Sequence, residues 1–216
     1  MRTALRFAAL ARKKELLEAG NSDSRELLRQ RILPGLVEFE AFRGGLAEPV
    51  VSGGFRFLLQ AARGGRGPDL DGLIALRDAV IPGTKAGLRL VPAKPLFPAH
   101  APLEPGAVGP ALDRFFEWTS SPGFAQMHVV EQVTVTQVRL HEIYPFGEGT
   151  EVSVSLLAHW FLLAQGYLLP AYRFADAGEF ARALEAGLEF RTEDLVNLNL
   201  QALGRAYNMG LDVEAS

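Results

Sequence analysis

Residues 141–152 read "HEIYPFGEGTEV". The stretch stands between two long apolar runs of helical character. A first helix ends near Ile143, and Tyr144-Pro145-Phe146 turns the chain, with Phe146 placed to anchor the turn in a core. Gly147 and Gly149 permit backbone geometry closed to other residues. A second helix opens near Thr150. Such a turn aims free backbone N–H groups into its concave side, and the helix dipole adds positive potential. It can form a nest for an anion, commonly a phosphate. The same glycine pattern also serves as a plain connection between antiparallel helices.

Working outward, "FAQMHVVEQVTVTQVRLHEI" (124–143) is expected to be one helix of about five turns. Its five valines and two threonines favour a strand, but a strand of that length would be exceptional. Val130, Val133, Val138 and Leu140 mark no single face, as in a central helix packed all round. "TEVSVSLLAHWFLLAQG" (150–166) is the second central helix. Upstream, a helix over 2–18 stops at Gly20-Asn21, and Asp23 with Glu26 has capping-box spacing. Pro34 should kink or break the helix that follows. "VVSGGFRFLLQAA" begins another helix, and Asp69 can cap "LDGLIALRDAVI". Downstream, Asp176 with Glu179 and Thr192 before Glu193 and Asp194 are placed to cap the last two helices.

The texture changes at "GLRLVPAKPLFPAHAPLEPG" (87–106), which holds five prolines and begins with alternating apolar and polar residues. It reads as a short strand or hairpin followed by an extended arm, confined to a sheet edge by Pro92 and Pro95. An exposed edge beside a site can pair with an incoming extended peptide, though a surface loop would carry the same composition.

Composition sets the outer bounds. The 216 residues are 48% hydrophobic with a formal net charge of −3 and no cysteine. This is a globular composition that excludes disulfides, thiolate metal sites and a cysteine nucleophile. Charges of both signs are dispersed, without the basic stripe of a nucleic-acid binder. Arg6 and "RKK" interrupt the N-terminal apolar stretch, so it does not read as a signal peptide, and no segment reaches the about 20 apolar residues of a membrane span. The expectation is a soluble cytoplasmic protein without nucleic-acid or membrane partners. His100, His128 and His159 lack a second ligand at zinc spacing.

The order of features is more specific than the turn. A proline-rich arm precedes a helix with "FFEW"; then come "LHEIYPFGEG" and a core helix closing on "LAQGYLLP". This resembles the Fic (Fido-fold) family, whose motif is His-Pro-Phe-x-Asp/Glu-Gly-Asn-Gly-Arg-x-x-Arg after an isoleucine. Ile143, Pro145, Phe146, Glu148 and Gly149 match. The resemblance implies an all-α fold with a small β-hairpin flap. Its core would cover residues 69–208 of a single 1–216 domain, with accessory helices over 1–63. It also implies that Leu88, Leu90 and Val91 belong to a flap that aligns a target or partner protein. Gly147, Gly149, Thr150 and Glu151 would face a nucleotide, and Glu148 would hold magnesium.

The departures concern chemistry. The family's catalytic histidine falls on Tyr144, its asparagine on Thr150, its second glycine on Glu151 and its phosphate-binding arginines on Val152 and Ser155. A tyrosine of ordinary pKa near ~10 is a poor base at neutral pH, where a histidine near ~6.5 is well matched. Valine and serine provide no clamp for a triphosphate. Glu151 lies in the first helical turn, where it stabilises the dipole by ~0.3–1 kcal/mol but repels a phosphate. His141 shares a helical face with Tyr144. It could serve as a displaced base, or it could cap the helix end or sit hydrogen-bonded in place. The resulting expectation is a pseudoenzyme or protein-binding module with no certain cofactor. The alternative is an active transferase that uses ATP and magnesium to move AMP or a phosphoryl group onto protein hydroxyls.

Overall fold

The two central runs form helices that are largely buried. In the computed structural model, which describes residues 2–19, 22–65, 67–83 and 87–214, these are α7 (Val129–Ile143) and α8 (Thr150–Ala164). In α7 only the stripe through Glu131, Val135, Arg139 and Glu142 is not buried. Val129, Val130, Val133, Val138, Leu140 and Ile143 are all buried. The Thr134 hydroxyl turns back onto the Val130 carbonyl at 2.8 Å, so a β-branched polar residue is satisfied inside the helix. In α8 every residue from Val152 to Leu162 is buried. A helix buried all round is a core helix.

The described residues form ten α-helices. Before the central pair come α1 (Arg2–Glu18), α2 (Ser22–Gly44), α3 (Glu48–Arg63), α4 (Leu70–Val80), α5 (Pro105–Thr119) and the short α6 (Pro122–Gln126). After it come α9 (Ala177–Leu188) and α10 (Glu193–Glu214). Helix α8 packs against α2, α3, α4 and α7; α10 packs against α1, α2, α7 and α9. One hydrophobic cluster runs from Leu10 through Phe39, Phe55, Trp160 and Phe180 to Tyr207. Helices α2 and α3 are therefore part of the core that frames the turn. No described helix is long and apolar enough to cross a membrane.

Several expectations are corrected. Helix α2 runs unbroken through Pro34. The missing N–H there costs about 3 kcal/mol, which burial of Ile32, Leu36 and Phe39 on either side offsets. The run from residue 124 is two helices, separated at Met127-His128, because the His128 ring accepts from Val130 N (3.2 Å) while Glu131 accepts from His128 N (3.0 Å). Asp69 caps α4 through Gly72 N at 2.6 Å, as expected. Asp176 does not cap α9; its carboxylate accepts from Arg173 N at 2.9 Å and pairs with Arg205. Gly20 and Asn21 lie outside the described residues, as do the side chains of Asp23 and Glu26.

The hairpin flap is also corrected. Residues 87–104 contain no strand pair, and the one isolated bridge among the described residues joins Phe97 to His100. The segment instead follows the turn as an irregular arm. Arg89 N donates to Pro145 O at 3.0 Å and Leu103 N to Glu142 O at 3.2 Å. The prolines account for this, since each removes a donor that a hairpin ladder would need.

Candidate functional site

The turn between α7 and α8 is built by backbone geometry. Tyr144 ends α7 in the left-handed region at φ 50, with its N–H on Leu140 O at 2.8 Å. Gly149 opens α8 at φ 79, and a Cβ there would lie 2.8 Å from Ile81 Cγ1, so conformation and space both require glycine. The buried Thr150 hydroxyl donates to Phe146 O at 2.7 Å and accepts from Phe146 N at 3.0 Å. That closes the turn and leaves Thr150 little capacity for a ligand. Gly147 and Glu148 are exposed, and the Glu148 carbonyl accepts from Arg77 Nε at 3.3 Å. Helix geometry leaves the first N–H groups of α8 without intrahelical acceptors.

The side chains around these N–H groups form a chain of charge. The Tyr144 hydroxyl faces the Glu151 carboxylate. Burial pushes the tyrosine's pKa up, and the neighbouring Glu151 charge pushes it further. Burial also raises the Glu151 carboxyl, which Arg43 opposes and Glu40 reinforces. Arg43, near the end of α2, donates to Glu151 O at 2.9 Å and to the buried carboxylate of Glu40 at 3.0 Å. Its guanidinium also lies over the Phe180 ring, 4.7 Å from the centroid. Beyond it, the Ser155 hydroxyl donates to Glu40.

Val152 and Ser155, which the resemblance sets against the motif's arginines, are covered by α2. Val152 is fully buried, and a Cβ on Gly44 would fall 2.4 Å from its Cγ2. Glu40 sits over Ser155. His141 is buried, with Nδ1 2.6 Å from Gln137 O and Nε2 3.5 Å from Arg43. Nδ1–H donates to that carbonyl, and Nε2 faces a cation. Burial, with Arg43 adding to it, lowers the His141 pKa to about 3. The ring stays neutral at working pH, and its basicity is far below that of a general base matched to neutral conditions.

Arg89 takes the capping role at the end of α7. Its buried guanidinium donates to Tyr144 O at 2.7 Å, Ile143 O at 3.3 Å and Val91 O at 3.2 Å, and also to Leu103 O. A fork of donors meets carbonyls at the negative end of a helix dipole. The alternation over 88–90 is inverted as a result: Arg89 points in, while Leu90 is 89% and Val91 67% exposed. Leu88 is half-buried against the core.

Sequence reasoning did not find Glu40, Arg43 or Arg89. The first two carried a signal, since Leu36, Glu40 and Arg43 fall at i, i+4 and i+7 and place two charges on an apolar helical face. Arg89 had none, because a strand pattern assigns it outward.

The groups present do not fit a magnesium nucleotide. No cluster of three potential ligands for a metal occurs among the described residues, which leaves Glu148 by itself. Magnesium held by one carboxylate must borrow phosphate oxygens, and here the triphosphate would meet the Glu151 carboxylate and an arginine already paired with Glu40.

Solved structures carry the same architecture. A Fic domain containing signaling protein from Bacteroides thetaiotaomicron superposes with a TM-score of 0.84 at 14% identity, over 97% of each chain. Fic-1 from C. elegans gives 0.76 at 12% identity, over 97% of this chain and 71% of that one. A Fic family protein from Desulfovibrio desulfuricans gives 0.69 at 13% identity, over 98% and 75%. No sequence-family model matches the chain, and no curated protein sequence does. The backbone agreement, together with the central turn and its two helices, gives this chain the fold of the Fic domain proteins.

Proposed function

We propose that this chain is a Fic-fold pseudoenzyme that works as a protein-binding module, retaining the turn and the arm but not the transfer chemistry. The observation that carries this reading is the cover over the motif's arginine positions: Gly44 against Val152 and Glu40 hydrogen-bonded to Ser155. A γ-phosphate clamp would need that room and two free cations. Tyr144 in place of the histidine supports the same reading, because burial and the neighbouring Glu151 make its hydroxyl less acidic. The buried, neutral His141 is poorly suited to replace it.

Binding is assigned to the arm. Arg89 fixes its base to the turn, while Leu90 and Val91 present exposed apolar side chains beside it. A partner segment lying along 88–91 would bury them, each fully buried side chain contributing roughly 1.5–3 kcal/mol.

Incubation of the full chain with radiolabelled ATP, magnesium and a cell lysate tests the loss of chemistry. No labelled band is expected. A band that disappears in Glu148→Ala would establish transfer and overturn the proposal.

A further inference from the structure

We propose that a groove between α5 and α7, apart from the exposed 88–91 edge of the arm, docks an acidic, apolar segment of a partner protein. It has a volume of about 520 Å³ and is walled by Arg114, Phe115 and Trp118 of α5, by Val135 and Arg139 of α7, and at one side by Leu103 of the arm. A second depression of about 150 Å³ shares Val135, Arg139 and Glu142 and continues to Leu188 and Phe190. The two share a wall on α7, with Trp118 lining the first and Phe190 the second.

The donors point to the chemistry of the occupant. Arg114 and Trp118 are one helical turn apart on α5 and so share a face. Neither the Arg114 guanidinium nor the Trp118 indole N–H meets an acceptor among the described residues, although both line the groove. On the opposite wall Glu142 is already paired with Arg139. The groove therefore offers a free cation and a free neutral donor, and its carboxylate is engaged. A carboxylate flanked by large apolar side chains complements that arrangement.

Both aromatic residues are built for contact. Trp118 is held in place edge-on by Phe124, ring centroids 5.0 Å apart, yet stays 39% exposed. Phe190 is 90% exposed and lies in the left-handed region at φ 64. It follows α9 in a Schellman turn, its N–H on Gly187 O at 2.9 Å and that of Arg191 on Ala186 O at 2.9 Å. Glycine would occupy that position without strain. The phenyl ring recovers almost no burial within the chain, and a partner would supply it.

The test is selection followed by binding. A phage-displayed library of random peptides, about a dozen residues each, is panned on the full chain, and the enriched sequence is synthesised with fluorescein for polarisation measurements. The expected consensus carries Asp or Glu beside Leu, Phe or Trp. Its affinity should fall at least about tenfold in Arg114→Glu and in Trp118→Ala, be unchanged in Leu90→Asp, and recover on Arg114→Glu when the peptide acid is replaced by lysine. Phe190→Gly should raise Tm while weakening binding, which separates lost contact from lost folding. A basic consensus, no enrichment, binding indifferent to Arg114→Glu, or a dimer that buries this groove would overturn the proposal.

Discussion

Arg43 Nη2 lies 2.9 Å from the carbonyl oxygen of Glu151, so a cation from α2 is fastened to the first turn of α8. The same guanidinium pairs with Glu40, which in turn accepts from Ser155. Two helices far apart in sequence are joined over the start of α8. The contact also makes the site costly to disturb, because both charges are buried.

Glu40→Ala should destabilise the fold by about 3–5 kcal/mol, since it leaves a buried guanidinium without its main partner. Arg43→Ala should do the same from the other side. The double variant should cost clearly less than the sum, because the two residues act as a unit. Urea unfolding at constant m-value measures all three. Additive losses would mean that the pair is not coupled.

Acid should unfold the protein in a window set by two histidines. His159 is fully buried, both ring nitrogens lack a hydrogen-bond partner, and burial lowers its pKa to about 4; His141 lies at about 3. Below about pH 6.5 the unfolded chain binds protons that the folded chain refuses. Stability present above that pH is lost as pH falls toward those values, by up to about 1.4 kcal/mol per pH unit for each ring. The raised Glu151 carboxyl opposes part of this loss, because it takes up its proton more readily when folded. His159→Leu should shallow the slope by about one proton and add ~1 kcal/mol at neutral pH, since it removes two unsatisfied polar atoms. Chemical denaturation from pH 4 to 8 tests both, and an unchanged slope would contradict the assignment.

Arg89→Lys should free the arm without unfolding the core. Lysine keeps the charge but cannot span the carbonyls of Tyr144, Ile143, Val91 and Leu103. Amide exchange at Leu103 and at position 89, whose N–H groups are held by Glu142 O and Pro145 O, should quicken at least about tenfold, while amides in α8 stay protected. Equal acceleration in α8 would mean global destabilisation.

Local chemistry made much of this fold legible. The glycines of the turn, the apolar runs around it and the Asp69 cap are written in neighbouring residues, and the structure places them where the sequence does. The arm was harder. Its alternation at 88–90 reads as a strand edge, but the carbonyls at the end of α7 draw Arg89 inward, a demand set by residues more than fifty positions away. The resemblance marked Tyr144, Val152 and Ser155 as departures from the motif. What fills their space was not visible, because Glu40 and Arg43 reach the turn only when α2 packs on α8.

The closure of the turn by α2 is tested most directly by isothermal titration of the full chain with ATP and magnesium. No saturable heat is expected up to millimolar nucleotide, because the Glu151 carboxylate and the Glu40–Arg43 pair stand at the start of α8. A one-to-one isotherm with a dissociation constant tighter than tens of micromolar would contradict it.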